Sequence, residues 1–348
     1  MSGLGPPAYF ELRNDLADSL LRGSHQLAGV PRADRDGVLQ AALDAVPEAA
    51  ALLRPYPALY ADGESSASRL AFSCLSAAAT FPLAGHERIA DLGALTVILF
   101  GVDDIADSVA GEWSEQDFSA FSAELPAILT ADADADADAD GSEGPTGQIQ
   151  AAWAGWCRRF HRYPAAAVHV PNLARQLELA GAAMARERAW AADDRPWPTY
   201  ADYLANGMIT ILYPTWWAAA LAVCGPAAAD SAHWKAIEPA TLLGASCVRL
   251  ANDIRTFERE KSEGKPNSIS IQERAGTSAE AAVGQVAAHI DELDAAFDAA
   301  LADLPDELLD IADGQRRSVS FNGRWYLARD THAYTVRELA RDAGSHQG

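Results

Sequence analysis

The sequence predicts an all-α fold on three observations. Ala is abundant and runs of β-branched residues are few, a composition that suits helices. Apolar residues recur at spacings of three and four, as in Leu250, Ile254 and Phe257. Pro and Gly fall between such patterns and punctuate them. With 348 residues, 49% of them apolar, the chain is large enough to enclose a cavity. It reads as a single domain over 1–348.

Charge and cysteine usage narrow the function classes. A net charge of −22 argues against nucleic acid and anionic membrane surfaces as partners. Cys74, Cys157, Cys224 and Cys247 are far apart and form no Cys-x-x-Cys. They read as buried thiols of a reducing compartment, which fits a cytoplasmic location. Met1-Ser-Gly-Leu-Gly-Pro-Pro7 has neither a basic nor an apolar signal region, so no signal peptide is expected. The uncharged stretch from Met208 to Cys224 is slightly short for a bilayer and contains Pro214. A buried or cavity-lining helix is expected there, without stable membrane insertion.

In chain order, residues 1 to about 60 carry Pro-bounded helical patterns with no chemistry. A small-residue helix from Ser65 to Phe81 carries Arg69, and an apolar helix follows from about Glu87 to Val109. Ala94 to Val102, including Phe100, is too continuously apolar for a surface, so this helix should be buried. It ends in Asp103-Asp104-Ile-Ala-Asp107. Carboxylates at a helix C-terminus oppose the macrodipole by up to ~1 kcal/mol each, so a cation is expected to offset them. Asp103 and Asp107, at i and i+4, share a face, and Asp104 is offset from them.

Residues 131–147, with five Ala-Asp repeats, read as a disordered acidic loop. Helices are expected over 148–162 and 168–192, with Arg186, Glu187 and Arg188 as surface or loop-anchoring charges. Thr199 can cap the next helix, which contains Tyr203, Asn206, Gly207 and Thr210. Gly207, Thr210 and Pro214 inside one pattern predict a break that turns backbone carbonyls or the Thr210 hydroxyl toward a cavity.

The run Arg249-Leu-Ala-Asn-Asp-Ile-Arg-Thr-Phe-Glu-Arg-Glu260 has no Pro or Gly until Gly264. Its Asn252, Thr256 and Glu260 are spaced i, i+4, i+8 and project from one helix face. An amide oxygen, a hydroxyl and a carboxylate form a hard oxygen set suited to Mg²⁺, with positions left for water and phosphate oxygens. Arg249 stands near the same mouth. One or two helices fill 278–313, and an Arg- and aromatic-rich cluster with Trp325, Tyr326 and Arg329 is expected to fold over the site. Residues 340–348 read as a flexible tail. There is no His-Glu-x-x-His, no nucleophile elbow and no Gly-rich nucleotide fingerprint.

Asn252-Asp-x-x-Thr256-x-x-x-Glu260 resembles the second metal motif of class I terpene synthases, and Val102-Asp-Asp-Ile-Ala-Asp107 resembles the first. Arg69, Arg88-Ile-Ala, Tyr203-Leu-Ala-Asn-Gly-x-x-Thr210 and the segment through Lys265-Pro-Asn267 are similar to the α domain of labdane-related diterpene synthases. The resemblance covers about 65–335, with one Arg where those enzymes carry Arg-x-Arg. Asn206 and Gly207 stand where many bacterial cyclases place a diphosphate-sensing Arg.

The resemblance implies a helical bundle around a central active-site cavity and three Mg²⁺ ions. Asp103 and Asp107 would hold metal at one wall, and Asn252, Thr256 and Glu260 at the other, with Asp104 among the catalytic carboxylates. Arg69, Arg249, Lys265 and Arg329 would meet a prenyl diphosphate, and Asn206 and Thr210 would also contact substrate. Phe100, Tyr213, Trp216, Trp217, Trp325 and Tyr326 would form aromatic walls for a carbocation. The expected reaction is ionisation of a copalyl-type diphosphate to a diterpene, with a class II cyclase upstream as partner. A homodimer is compatible with it. Geranylgeranyl or farnesyl diphosphate is the alternative substrate. A chain-elongating prenyl synthase should show two Asp-rich motifs, and a non-catalytic helical binding protein would leave these faces solvated.

Overall fold

The computed structural model describes residues 35–60, 64–107, 113–131, 144–191 and 196–328, with Leu27, Val30 and Pro31 besides. Every regular element among them is helical. The expected acidic loop falls mostly outside the described residues, as do Arg329 and the 340–348 tail.

Helix α1 is Arg35–Leu53, α2 Glu64–Thr80 and α3 His86–Ala106. Helix α4 is Glu115–Thr130, α5 Pro145–Phe160, α6 Ala166–Ala191, α7 Tyr200–Thr210 and α8 Tyr213–Cys224. Helix α9 is Ala232–Ser262, α10 Ser268–Arg274, α11 Ala279–Ala302 and α12 Leu309–Ala328. The 278–313 region is thus one helix and a 3-10 turn leading into a second helix, which runs on past 313. Pro305 ends the first, because its ring cannot continue a helical hydrogen-bond ladder.

Caps fix several starts. Thr199 accepts from the Asp202 N–H and Ser278 from the Ala281 N–H, each satisfying an otherwise unpaired donor. Helix α3 is buried nearly all round, from Ile89 to Ala106, as its continuous apolar run predicts. It packs against α1 and α2, and α8 and α5 also touch it. Helix α9 packs against α11, α12 and α7, so α2, α3, α6, α7, α8, α9 and α12 ring one cavity.

The apolar stretch through Cys224 belongs to the core. Residues Tyr213 to Val223 are all buried, and Trp217 is among the largest fully buried side chains. The chain breaks there as expected. Leu212 takes a left-handed conformation with φ 58°, a rare state for a branched side chain. The Ile211 N–H returns to the Gly207 carbonyl and the Leu212 N–H to Ile209, so the α ladder ends and α8 restarts with Pro214 in its first turn.

Candidate active site

The ringed cavity encloses about 370 Å³, within the range of small-molecule sites. On α3, Thr96, Leu99, Phe100, Asp103 and Asp107 recur at helical spacing and line one side. On α9, Val248, Arg249, Asn252 and Glu260 line the facing side. Each helix therefore presents apolar groups inward and oxygen ligands at one end. This follows from residues three and four apart sharing a face.

Negative charge crowds the α3 wall. Burial, then Asp107, Asp104 and Glu187, push the Asp103 carboxyl well above the usual carboxylate range, against the pull of Arg249. On α9, burial and Asp253 raise the Glu260 carboxyl to about 7, and Asn267 Nδ2 donates to its Oε2 at 2.8 Å. Lys265 bridges the two walls, its Nζ lying 3.1 Å from Asp107 Oδ2.

Among the described residues no three His, Cys, Asp or Glu converge on one point. The donor set is instead divided between the carboxylates of Asp103 and Asp107 at the end of α3 and the Asn252 amide and Glu260 carboxylate of α9; Thr256, expected in this set, is not among the lining residues. A crowded, partly buried set of hard oxygens facing open space fits divalent cations shared with an anionic ligand. Thr256 is almost fully buried, and its Oγ1 donates to the Asn252 carbonyl at 3.0 Å. Its lone pairs remain the only ligating feature it offers.

Several cations sit differently from expectation. Arg69 is not a free anion site: it forms a two-pronged pair with Asp104, at 2.6 and 3.1 Å, and its guanidinium lies 5.3 Å from the Phe100 ring centre. Asp104 is thereby turned to α2 and away from the Asp103/Asp107 face, as its angular offset requires. Arg249 lines the cavity and is held by Asp253 Oδ1 at 3.0 Å, by Tyr203 and by Thr210. Gly207 lets α7 close on this arginine, because a Cβ there would lie 3.0 Å from Arg249 Cγ.

In the segment Arg186-Glu187-Arg188, Arg186 is exposed and Arg188 anchors the chain before α4, as expected, but Glu187 and Arg188 also line the cavity. Arg186 donates to Asn206 Oδ1 at 2.5 Å, and Asn206 also donates to the Ala183 carbonyl. Asn206 is thus consumed in joining α6 to α7 and does not line the cavity. Glu187 accepts from Thr210 at 2.8 Å and stands 3.6 Å from Arg249. Arg188 donates to the Ala106 carbonyl at 2.6 Å and to the Ile105 and Trp113 carbonyls. It offsets the negative end of α3 beside the carboxylates. Sequence spacing gave no sign of this, because the partner carbonyls lie some 80 positions away.

Among the aromatic residues, Phe100, Tyr213 and Trp216 line the cavity. Trp217 does not: it is wholly enclosed between Phe81, Tyr213 and Trp216, because adjacent helical residues point about 100° apart. Trp325 and Tyr326 lie on α12, but their side chains fall outside the described residues. Phe72, Ser76, Ser318 and Asn322, which sequence reading did not single out, complete the inner end.

Residues 94–293, more than half of the chain, match the family model of terpene synthase family 2, C-terminal metal binding. The protein belongs to this terpene synthase family. Solved structures share the fold. Isoprene synthase from grey poplar, in complex with three Mg²⁺ ions and dimethylallyl-S-thiolodiphosphate, aligns with TM-score 0.68 and 15% identity. That match covers 90% of this chain and 59% of the poplar chain. Abietadiene synthase from Abies grandis aligns with TM-score 0.64 and 15% identity, over 87% of this chain and 40% of that one. Linalool/nerolidol synthase from Streptomyces clavuligerus, in complex with 2-fluorogeranyl diphosphate, aligns with TM-score 0.61 and 18% identity, over 83% and 96%. The chain thus spans less than two thirds of the plant enzymes. No curated protein sequence matches it.

Proposed function

We propose that this protein is a Mg²⁺-dependent class I diterpene synthase that ionises a copalyl-type diphosphate and releases a diterpene and diphosphate. One observation carries the reading. Two oxygen-bearing helix faces, Asp103/Asp107 and Asn252/Glu260, look into one cavity that is also lined by Phe72, Leu99, Phe100, Trp216 and Val248. Asp103 and Asp107 would hold metal on one side and Asn252, Thr256 and Glu260 on the other, with three ions in all. When bound, the ions neutralise the departing diphosphate and so lower the barrier to breaking the allylic C–O bond.

The protein's own groups do the rest. Arg249 and Lys265 hold the diphosphate through charge-assisted hydrogen bonds. The Glu187–Thr210–Tyr203 network aims Arg249 toward the cavity. Phe100 and Trp216 place π faces around the hydrocarbon, each worth ~1–2 kcal/mol toward a cation. Apolar lining such as Leu99 and Val248 restricts water near the cation. The copalyl-type substrate rests on the labdane-related motifs around Tyr203 and Arg249, and it implies a class II cyclase upstream.

The test is incubation of purified protein and Mg²⁺ with copalyl, geranylgeranyl and farnesyl diphosphates separately, reading products by gas chromatography–mass spectrometry. Product from copalyl diphosphate alone is expected. Product only from an acyclic diphosphate overturns the substrate. Asn252→Ala and Glu260→Ala should each abolish Mg²⁺-dependent diphosphate release, and full release in both would overturn the site.

A further inference from the structure

The turn that ends α9 reaches back to one residue of the oxygen-bearing wall. Gly264 takes φ +71°, a left-handed state that glycine adopts without a Cβ clash. Its N–H donates to the Lys261 carbonyl at 3.3 Å, and the Lys265 N–H donates to the Glu260 carbonyl at 2.9 Å. These two bonds satisfy carbonyls that the helix end leaves unpaired. The chain therefore doubles back on Glu260 before Pro266 and Asn267 lead into α10.

Asn267 is 0% exposed and, unlike Lys265 and Pro266, does not line the cavity. Its amide is fully engaged. Oδ1 accepts from the Ile269 N–H at 2.9 Å and so caps α10. Nδ2 donates to Glu260 Oε2 at 2.8 Å and to the Asp253 carbonyl at 3.0 Å. Asp253 and Glu260 are seven residues apart and share a helix face, and a helical side chain leans toward the N-terminus. One amide can thus hold both. Arg259 Nη2 stands 3.9 Å from the other carboxylate oxygen, Oε1, beyond hydrogen-bond reach.

Capping α10 accounts for Oδ1 alone. A cap needs only an acceptor, and Ser serves there about as well as Asn. The Nδ2 donor is what Ser lacks, and it goes to the Glu260 carboxylate. A charge-assisted bond to one oxygen restrains a long side chain that otherwise samples several rotamers. Carboxylates that bind metal depend on such outer hydrogen bonds for their orientation.

We propose that Asn267 is a positioning residue for Glu260, and that through it the Gly264–Asn267 turn holds the carboxylate in the orientation that takes Mg²⁺. This inference rests on the class I metal reading above. Asn267 touches neither substrate nor metal and acts through Glu260.

The test titrates Mg²⁺ into the full chain with inorganic diphosphate present and reads the rise in Tm. In Asn267→Ser, which keeps the cap, the half-saturating Mg²⁺ concentration should rise about tenfold, the effect of losing an outer hydrogen bond to a ligating carboxylate. In a Glu260→Ala background the same substitution should change it by less than about twofold, because nothing remains to be held. Gly264→Ala has open space around its Cβ and strains only the left-handed turn, so it tests the same link if the Ser variant does not fold. There the half-saturating concentration should rise about threefold. An unmoved value in Asn267→Ser, or an equal shift with and without Glu260, overturns the positioning role. Where the Ser variant does not fold, an unmoved Gly264→Ala does so. Absence of any Mg²⁺ response in wild type overturns the metal reading as well.

Discussion

Replacing Glu260 with Gln separates the cost of burying this carboxylate from its use as a ligand. Burial first, and Asp253 second, raise its pKa from 4.5 to about 7. In metal-free protein the folded state therefore holds a proton that the unfolded state has already lost. Its stabilising effect is fully present below pH 4.5 and is lost as pH rises through 7. The difference between the two pKa values corresponds to about 3 kcal/mol above pH 7. Gln is neutral throughout and keeps an oxygen to accept from Asn267. In EDTA at pH 8, Glu260→Gln should melt about 5 °C higher than wild type, and at pH 4.5 the two should coincide. Mg²⁺ should raise the wild-type Tm at pH 8 by more than it raises that of the variant, which keeps Asp103 and Asp107. Thermal denaturation by circular dichroism, with EDTA or Mg²⁺ across pH 4.5–8, reads all four conditions. Parallel pH profiles in EDTA would refute the burial argument, and equal responses to Mg²⁺ would refute the ligand role.

Other outcomes follow from single contacts. Arg188→Met removes the charged donor to the last carbonyls of α3, so stability should fall by about 2 kcal/mol, read by chemical denaturation. In Gly207→Ala the new Cβ crowds Arg249, and the KM of the substrate should rise roughly tenfold, equivalent to about 1.4 kcal/mol, with little change in helix content. Burial holds Cys224 and Cys247 at about 12 and raises Cys74 and Cys157 as well. Native protein at pH 8 should therefore resist iodoacetamide, whereas the denatured chain should take up four equivalents, counted by mass spectrometry.

The local signals were sufficient for much of this molecule. Periodicity placed α2, α3 and α6 within a few residues and found the second half of α9, because a helix records its buried face as a stripe in its own sequence. Gly207 and Pro214 announced the break that the left-handed Leu212 makes. The two oxygen motifs were legible for the same reason: their ligands sit four to eight positions apart along one helix. Tertiary structure decided which groups meet across helices. Trp216 and Trp217 are neighbours in sequence, yet only Trp216 faces the cavity, because the two side chains point about 100° apart and the orientation of α8 decides which one meets it. Arg69 goes to Asp104, 35 positions away, and Arg188 to the end of α3, because buried charges pair with whatever the fold brings near. Ser76 and Asn322 are 246 positions apart, and neither has a pattern of its own. Their meeting, and the polar inner wall it makes, exists only once α2 lies against α12.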